Sequence, residues 1–161
     1  MHLTADIVAR RPTVRDAPAI EAMIERCSLE SRYARFLAPR PSIPLDHLAR
    51  VVTPLSGEEA WVVVRRDEPE TIVALGSWAR TGDEDAAELA LIVEDSWQRR
   101  GIGTSLLRLL GERASSLGIC RLTASVLTES RHVFGMLRAV FGSTSVRPDG
   151  FVSRVTIDHC G

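Results

Sequence analysis

The chain of 161 residues contains no lysine and no asparagine, one glutamine (Gln98) and one tyrosine (Tyr33), and only 5% of it is aromatic. All twenty basic residues are arginine. Lysine and asparagine share A-rich codons, and a GC-rich genome accounts for losing both. The gaps still exclude chemistry. A P-loop needs two glycines four residues apart followed by lysine, and no lysine exists to complete it. No apolar run approaches the ~20 residues of a membrane span. The opening MHLTADIVARRP lacks the apolar centre of a signal peptide, so a cytoplasmic protein is expected.

An excess of charge of either sign is missing too. The net charge of −1 gives no electrostatic reason to bind nucleic acid. The cysteines, Cys27, Cys120 and Cys160, are odd in number and lack metal-ligand spacing, which predicts buried thiols in a reducing compartment. His159-Cys160 reads as a frayed tail rather than a metal pair, and no metal is expected. With 45% hydrophobic and 25% charged residues, the chain reads as one soluble globular domain spanning residues 1–161.

What is present concentrates between Ala86 and Leu117. Leu89 to Val93 has strand length and composition. It breaks at Glu94-Asp95-Ser96, and Gln98-Arg99-Arg100-Gly101-Ile102-Gly103-Thr104-Ser105 follows. Ile102, Leu106, Leu109, Leu110, Ala114 and Leu117 then recur at helical spacing, up to Gly118, where a helix usually stops. Strand, glycine loop and helix start together form an anion site. The first helical amides lack intrahelical partners, the dipole adds positive charge, and glycines admit a phosphate closely. Arg99 and Arg100 add charge; Thr104 and Ser105 add hydroxyls. A dinucleotide fingerprint fits poorly, since only Gly101 and Gly103 match and they lie mid-chain.

Glu88 is the candidate for chemistry. Period-two alternation sets it on one strand face with Ala90 and Ile92, while Leu89, Leu91 and Val93 face the other way. A carboxyl there either reaches the rim or is partly desolvated; desolvation predicts a pKa above the free ~4.3, suited to a general base. The acids Asp83-Glu84-Asp85, Glu58 and Glu59 are read first as solvated hairpin acids and second as attraction for a cationic substrate.

Along the chain, Ile7 to Thr13 reads as a strand, and Asp16-Ala17-Pro18 as a helix start with Asp16 as N-cap. That helix runs to about Cys27. Ser28 to Leu37 and Leu45 to Val52 are further helical pieces, divided by Pro39, Pro41 and Pro44. Glu59 to Arg66 and Thr71 to Arg80 pair as strands and lead antiparallel into the central one. Cys120 to Leu127 follows by a crossover and should run parallel. Glu129 to Phe141 is helical, and Val146-Arg147 and Phe151 to Ile157 close a hairpin.

The spacing Gln98-x-x-Gly101-x-Gly103 after an apolar strand resembles the coenzyme A loop of the GNAT acetyltransferase superfamily. The run Ala87 to Val93, Trp97-Gln98 and the first helical region Ser28 to Phe36 resemble bacterial protein-lysine acetyltransferases of the Pat type. The resemblance implies an α/β (α+β) GNAT fold: a mixed, mostly antiparallel sheet of about six to seven strands flanked by helices, with a splayed central pair. It implies acetyl-CoA as cosubstrate, Glu88 as general base, and a pyrophosphate held by Arg99, Arg100, Gly101, Ile102, Gly103 and Thr104. Gln98, Ser105, Leu91, Ile92 and Val93 would border the cofactor, with a backbone N–H near Ile92 or Val93 facing the reacting carbonyl. Ser130 and Phe134 would meet the pantetheine arm, Ser130 standing where the family often has asparagine. The family's usual helical tyrosine, a general acid, has no counterpart, because Tyr33 lies in another segment. The favoured acceptor is a protein lysine, such as one on an AMP-forming acyl-CoA synthetase. Alternatives are a small amine (polyamine, aminoglycoside or amino acid) and a non-catalytic coenzyme A-binding module. A homodimer remains open. A lysine acetyltransferase of this composition could not acetylate its own side chains.

Overall fold

The computed structural model describes residues 2–4, 6–82 and 85–160, with side chains from residue 6 onward. In chain order the elements are β1 (His2–Thr4), β2 (Ile7–Arg10), α1 (Ala17–Arg26), α2 (Leu29–Phe36), α3 (Leu45–Val52), β3 (Glu58–Arg65), β4 (Ile72–Arg80) and β5 (Ala86–Val93). After them come α4 (Ile102–Ser116), β6 (Arg121–Leu127), α5 (Arg131–Phe141), β7 (Ser145–Asp149) and β8 (Val152–Asp158). The strands form one sheet in the order β1-β2-β3-β4-β5-β6-β8-β7, antiparallel throughout except between β5 and β6. This is the expected mixed sheet. It gains the three-residue β1, too short to carry a readable period.

Alternation along each strand sends apolar side chains to both faces, so the sheet needs helices on both. On one face, Ile20, Met23 and Ile24 of α1 and Leu48 and Val51 of α3 pack on Val62, Leu75 and Ile92. On the other, Ile102, Leu106, Leu109, Leu110 and Ala114 of α4 cover Trp78, Ala87, Leu89 and Leu122. Each fully buried Leu or Ile contributes about 1.5–3 kcal/mol. The coverage is unequal. β6, β7 and β8 share a core with α4 and α5 through Leu122, Ala124, Val126, Val155 and Ile157, yet contribute nothing to the cluster under α1 and α3. Their second face has no helix core over it, although Thr123, beside β5, is buried.

Three expectations change. Asp16 is the N-cap residue of α1 as expected, but its side chain caps no amide of that helix; its carboxylate accepts from Arg10 at 2.7 and 2.8 Å and from the Thr13 N–H at 2.7 Å, which holds its pKa down to about 2. The tail is not frayed: the His159 N–H donates to the Cys120 carbonyl at 3.0 Å, its ring meets Phe141, and Cys160 is disulfide-bonded to Cys120. The expectation of buried thiols therefore holds for Cys27 alone, whose pKa burial pushes up to about 12, with Asp95 and Glu94 assisting.

Candidate active site

The site begins where two strands part. β5 stays paired with β4 as far as Val93, and β6 with β8 as far as Leu127. Between themselves β5 and β6 pair only at Ala86↔Arg121, Ala87↔Leu122 and Glu88↔Thr123. Beyond Glu88 the sheet opens into a gap. Two bonds at the ends of β5 fix which backbone groups face it. The Glu94 N–H donates to the Val73 carbonyl at 2.9 Å, and the Thr81 N–H to the Ala86 carbonyl at 3.0 Å. Even-numbered residues of β5 thus bond to β4, and the amides of Leu91 and Val93 point at β6. Ile92 is committed to β4, and its side chain lies in the core under α1 and α3. Of the two donors considered from sequence, Val93 faces the gap and Ile92 does not.

The loop after β5 is braced rather than free. The Gln98 amide donates to the Val93 carbonyl at 2.9 Å and to the Ser31 hydroxyl at 3.1 Å. Asp95 accepts from the Ser28 N–H at 2.8 Å and from the hydroxyls of Ser28 (2.8 Å) and Ser31 (3.0 Å). Burial alone would raise the Asp95 pKa, but these donors hold it below the usual carboxylate range. Arg99 (φ 61°) and Gly101 (φ 79°) both lie in the left-handed region, which turns the chain sharply into α4. Gly101 is the N-cap and has no side chain to bond the amides of the first turn, so these remain available to a ligand. A Cβ on Gly103 would lie 3.1 Å from Met136 Sδ and 3.5 Å from Leu91 Cδ2, so glycine lets α4 start against α5 and the gap. Arg100 stacks over Trp97 at 4.6 Å, and Arg99 and Arg100 are exposed. Thr104 and Ser105 are half-buried in the same first turn. The cradle fits a pyrophosphate, and the gap fits the thin arm attached to it.

Glu88 stands at the apex of the gap and is exposed. Of the two placements open to it from sequence, it takes the rim. Its electrostatic neighbour is Arg35 of α2, which lies on β5. Arg35 is half-buried, stacks on Phe36 at 5.0 Å, and shares a 2.9 Å hydrogen bond with His47 Nε2 of α3. Burial lowers the Arg35 pKa to about 10 against the opposing pull of Glu88. Burial, with Arg35 beside it, lowers His47 to about 4, so the ring is neutral and accepts this bond.

The Acetyltransferase (GNAT) family model matches residues 24–142, from α1 through α5. The chain belongs to the GNAT acetyltransferase family. Among curated proteins none matches it. Among solved structures, the GNAT domain of S. lividans PAT is similar, at 25% identity and a TM-score of 0.81, covering 93% of this chain and 89% of that one. Salmonella typhimurium yncA, solved with its cofactor acetyl-CoA, aligns at 16% identity and a TM-score of 0.75 over 96% and 95% of the two chains. Spermidine N-acetyltransferase from Vibrio cholerae, in complex with CoA and spermine, aligns at 13% and 0.71 over 97% of each. The GNAT chain is an acetyl-CoA-dependent N-acetyltransferase, and acetyl-CoA is its cosubstrate.

The remaining expected residues divide. Ser130 occupies the N-cap position of α5, but its hydroxyl caps nothing, and Phe134 is half-buried in the first turn of that helix. Tyr33 projects from α2 and is 38% exposed. Glu59 is neither solvated nor free to attract a substrate. It points to the α4 side, buried, and accepts from Arg113 Nε at 2.8 Å and Trp61 Nε1 at 2.7 Å, with Arg11 at 3.2 Å. Burial raises its pKa, and these donors outweigh that and leave it lowered. Glu58 pairs with Arg50, and Asp83 and Glu84 lie outside the described residues. Arg35, His47 and Asp95 were missed as site residues. Arg35 carried a signal in the helical region Ser28 to Phe36; His47 carried none. Among the described residues no cluster of three or more His, Cys, Asp or Glu could hold a metal, and no helix is long and apolar enough to cross a membrane.

Proposed function

We propose that this acetyltransferase modifies the ε-amine of a protein lysine, with Glu88 as general base. One observation carries the reading: β5 leaves β6 immediately after Glu88, so the only carboxylate on this stretch of β5 sits where a cofactor gap meets an open sheet face. An open face admits a polypeptide, and likeness to the PAT domain supports the same acceptor class. Acetyl-CoA, when bound, supplies the thioester carbonyl. Glu88, directly or through one water, takes the proton that an ammonium of pKa ~10.4 must lose before its nitrogen can attack. The Leu91 and Val93 amides, aimed into the gap, donate to the carbonyl oxygen as charge develops. The C–S bond then breaks, and a thiol of pKa near ~8.5 leaves tolerably without a general acid. First-turn amides of α4, with Arg99, Arg100, Thr104 and Ser105, hold the pyrophosphate; Ser130 and Phe134 border the arm. A cell interior rich in the donor suits the cytoplasmic location.

The test is thiol release from acetyl-CoA by wild type and Glu88→Gln, with an AMP-forming acetyl-CoA synthetase, a lysine peptide, spermidine, an aminoglycoside and free amino acids as acceptors. Turnover on the synthetase or peptide that collapses in Glu88→Gln, with acetyl-CoA binding retained, is the expected result. Turnover on a small amine alone would overturn the lysine assignment. Tight donor binding without turnover on any acceptor would identify a coenzyme A-binding module.

A further inference from the structure

The open face beside Glu88 carries an arginine pair that has no partner among the described residues. Glu88 pairs in register with Thr123, and Thr123 with Thr156, so all three share a face. Two residues further along that face, Ser125 pairs with Arg154, and Arg154 with Arg147 of the edge strand. Arg147 and Arg154 are directly opposed across β7 and β8, and both are exposed. Like charges in directly opposed positions destabilise a sheet. Among the described residues neither makes an ion pair or a side-chain hydrogen bond. Asp149, opposite Val152, is the one acid of β7 on this face, and Asp158 at its end is paired with Arg121 at 3.2 Å. On the other side of Glu88, half-buried Arg35 hydrogen-bonds a neutral imidazole, and the acid that acts on it is Glu88 itself.

A half-buried guanidinium and an opposed arginine pair are both unfavourable alone, and both are relieved by carboxylates, whose two oxygens match the guanidinium fork. Building on the lysine reading above, we propose that Arg35, Arg147 and Arg154 select a protein lysine flanked by aspartate or glutamate. Glu88 takes the amine, and the arginines take the acids on either side. Neighbouring strands are about 4.8 Å apart and successive residues about 3.3 Å, so Arg154, two strands over and two residues along from Glu88, lies about 12 Å away and Arg147 about 16 Å, which an extended peptide spans in about four to five residues. The selected acids therefore lie within about five positions of the lysine. No covalent step is added; the arginines set which acceptor is held at the base.

The experiment compares three peptides with one central lysine and either acidic, amide or arginine flanks, plus spermidine, using wild type and Arg147→Gln/Arg154→Gln. Both substituted residues are exposed, and acetyl-CoA binding by the variant reports its folding. Wild type should favour the acidic over the amide peptide by about tenfold in kcat/KM, with the arginine peptide lowest. The ratio should fall below about threefold in the double variant and in wild type at 0.5 M salt, where exposed charges are screened. Equal rates on all three peptides, or a preference unchanged in the variant, overturn the inference and leave the lysine reading standing. Acetylation of spermidine with none of any peptide overturns both.

Discussion

The two sides of the splayed strands are assembled in opposite ways. The donor side is a contiguous stretch, running from the end of β5 through Gln98 and Gly101 into α4, and its ligand-facing groups are largely backbone amides. The proposed acceptor side draws Arg35, His47, Glu88, Arg147 and Arg154 from α2, α3, β5, β7 and β8, and would work through side chains. A pyrophosphate is the same in every enzyme that uses it, and a backbone cradle suits a constant guest. An acceptor differs from enzyme to enzyme, and side chains on separate elements can change one at a time.

Substitutions can break this contrast. The largest effect should come from Glu88→Gln, which removes the base and keeps the shape: kcat should fall by about 10²–10⁴, while calorimetry shows acetyl-CoA affinity within about twofold of wild type. Loss of donor binding in that variant would mean the two sides are not separable. The acceptor side should also respond to acid. The His47 pKa is about 4 in the folded chain against 6.5 for a free ring, so the unfolded chain binds the extra proton between these values. Stability conferred by the neutral ring is complete above about pH 7.5 and should decline by about 3 kcal/mol as pH falls to 4. Thermal melts across that range should show a shallower decline in Arg35→Gln, where one cause of the depressed pKa is gone. An identical slope would detach Arg35 from the ring.

On the donor side, Gly101→Ala places a Cβ in open space but at φ 79°, so its effect is conformational. It should cost about 1–2 kcal/mol and raise the acetyl-CoA Kd about tenfold, with the acceptor KM little changed. Ser130→Ala should be smallest, about two- to threefold on the acetyl-CoA KM without loss of stability, because the hydroxyl caps no amide of α5. A clear drop in melting temperature would show that the hydroxyl serves the helix instead.

The same contrast explains what the sequence revealed. The donor loop was legible because its parts are adjacent and their order carries the chemistry. Alternation along β5 placed Ile92 apart from Leu91 and Val93, matching the two cores. The hydrogen-bonding phase of the backbone stayed hidden, since it depends on which neighbour strand each residue faces; Ile92 was weighed equally with Val93 for that reason. Glu59 misled because Glu58 and Glu59 look alike beside a turn, while the pleat sends one to Arg50 and buries the other under Arg113. His47 had no signal at all, because its partner lies on a different helix, separated by a proline-rich stretch. Cys120 and Cys160 are likewise brought together only by the pairing of β6 with β8.

The brace at Gln98 has a thermodynamic corollary. One side-chain amide holds the end of β5 and the Ser31 hydroxyl of α2, and Asp95 grips the same hydroxyl. If donor binding tightens these contacts to α2, the same free energy must favour donor binding when an acceptor tightens them first. Any such coupling between donor and acceptor affinities is equal in both directions, and the bonds that would carry it are those of Gln98 and Asp95 to Ser28 and Ser31.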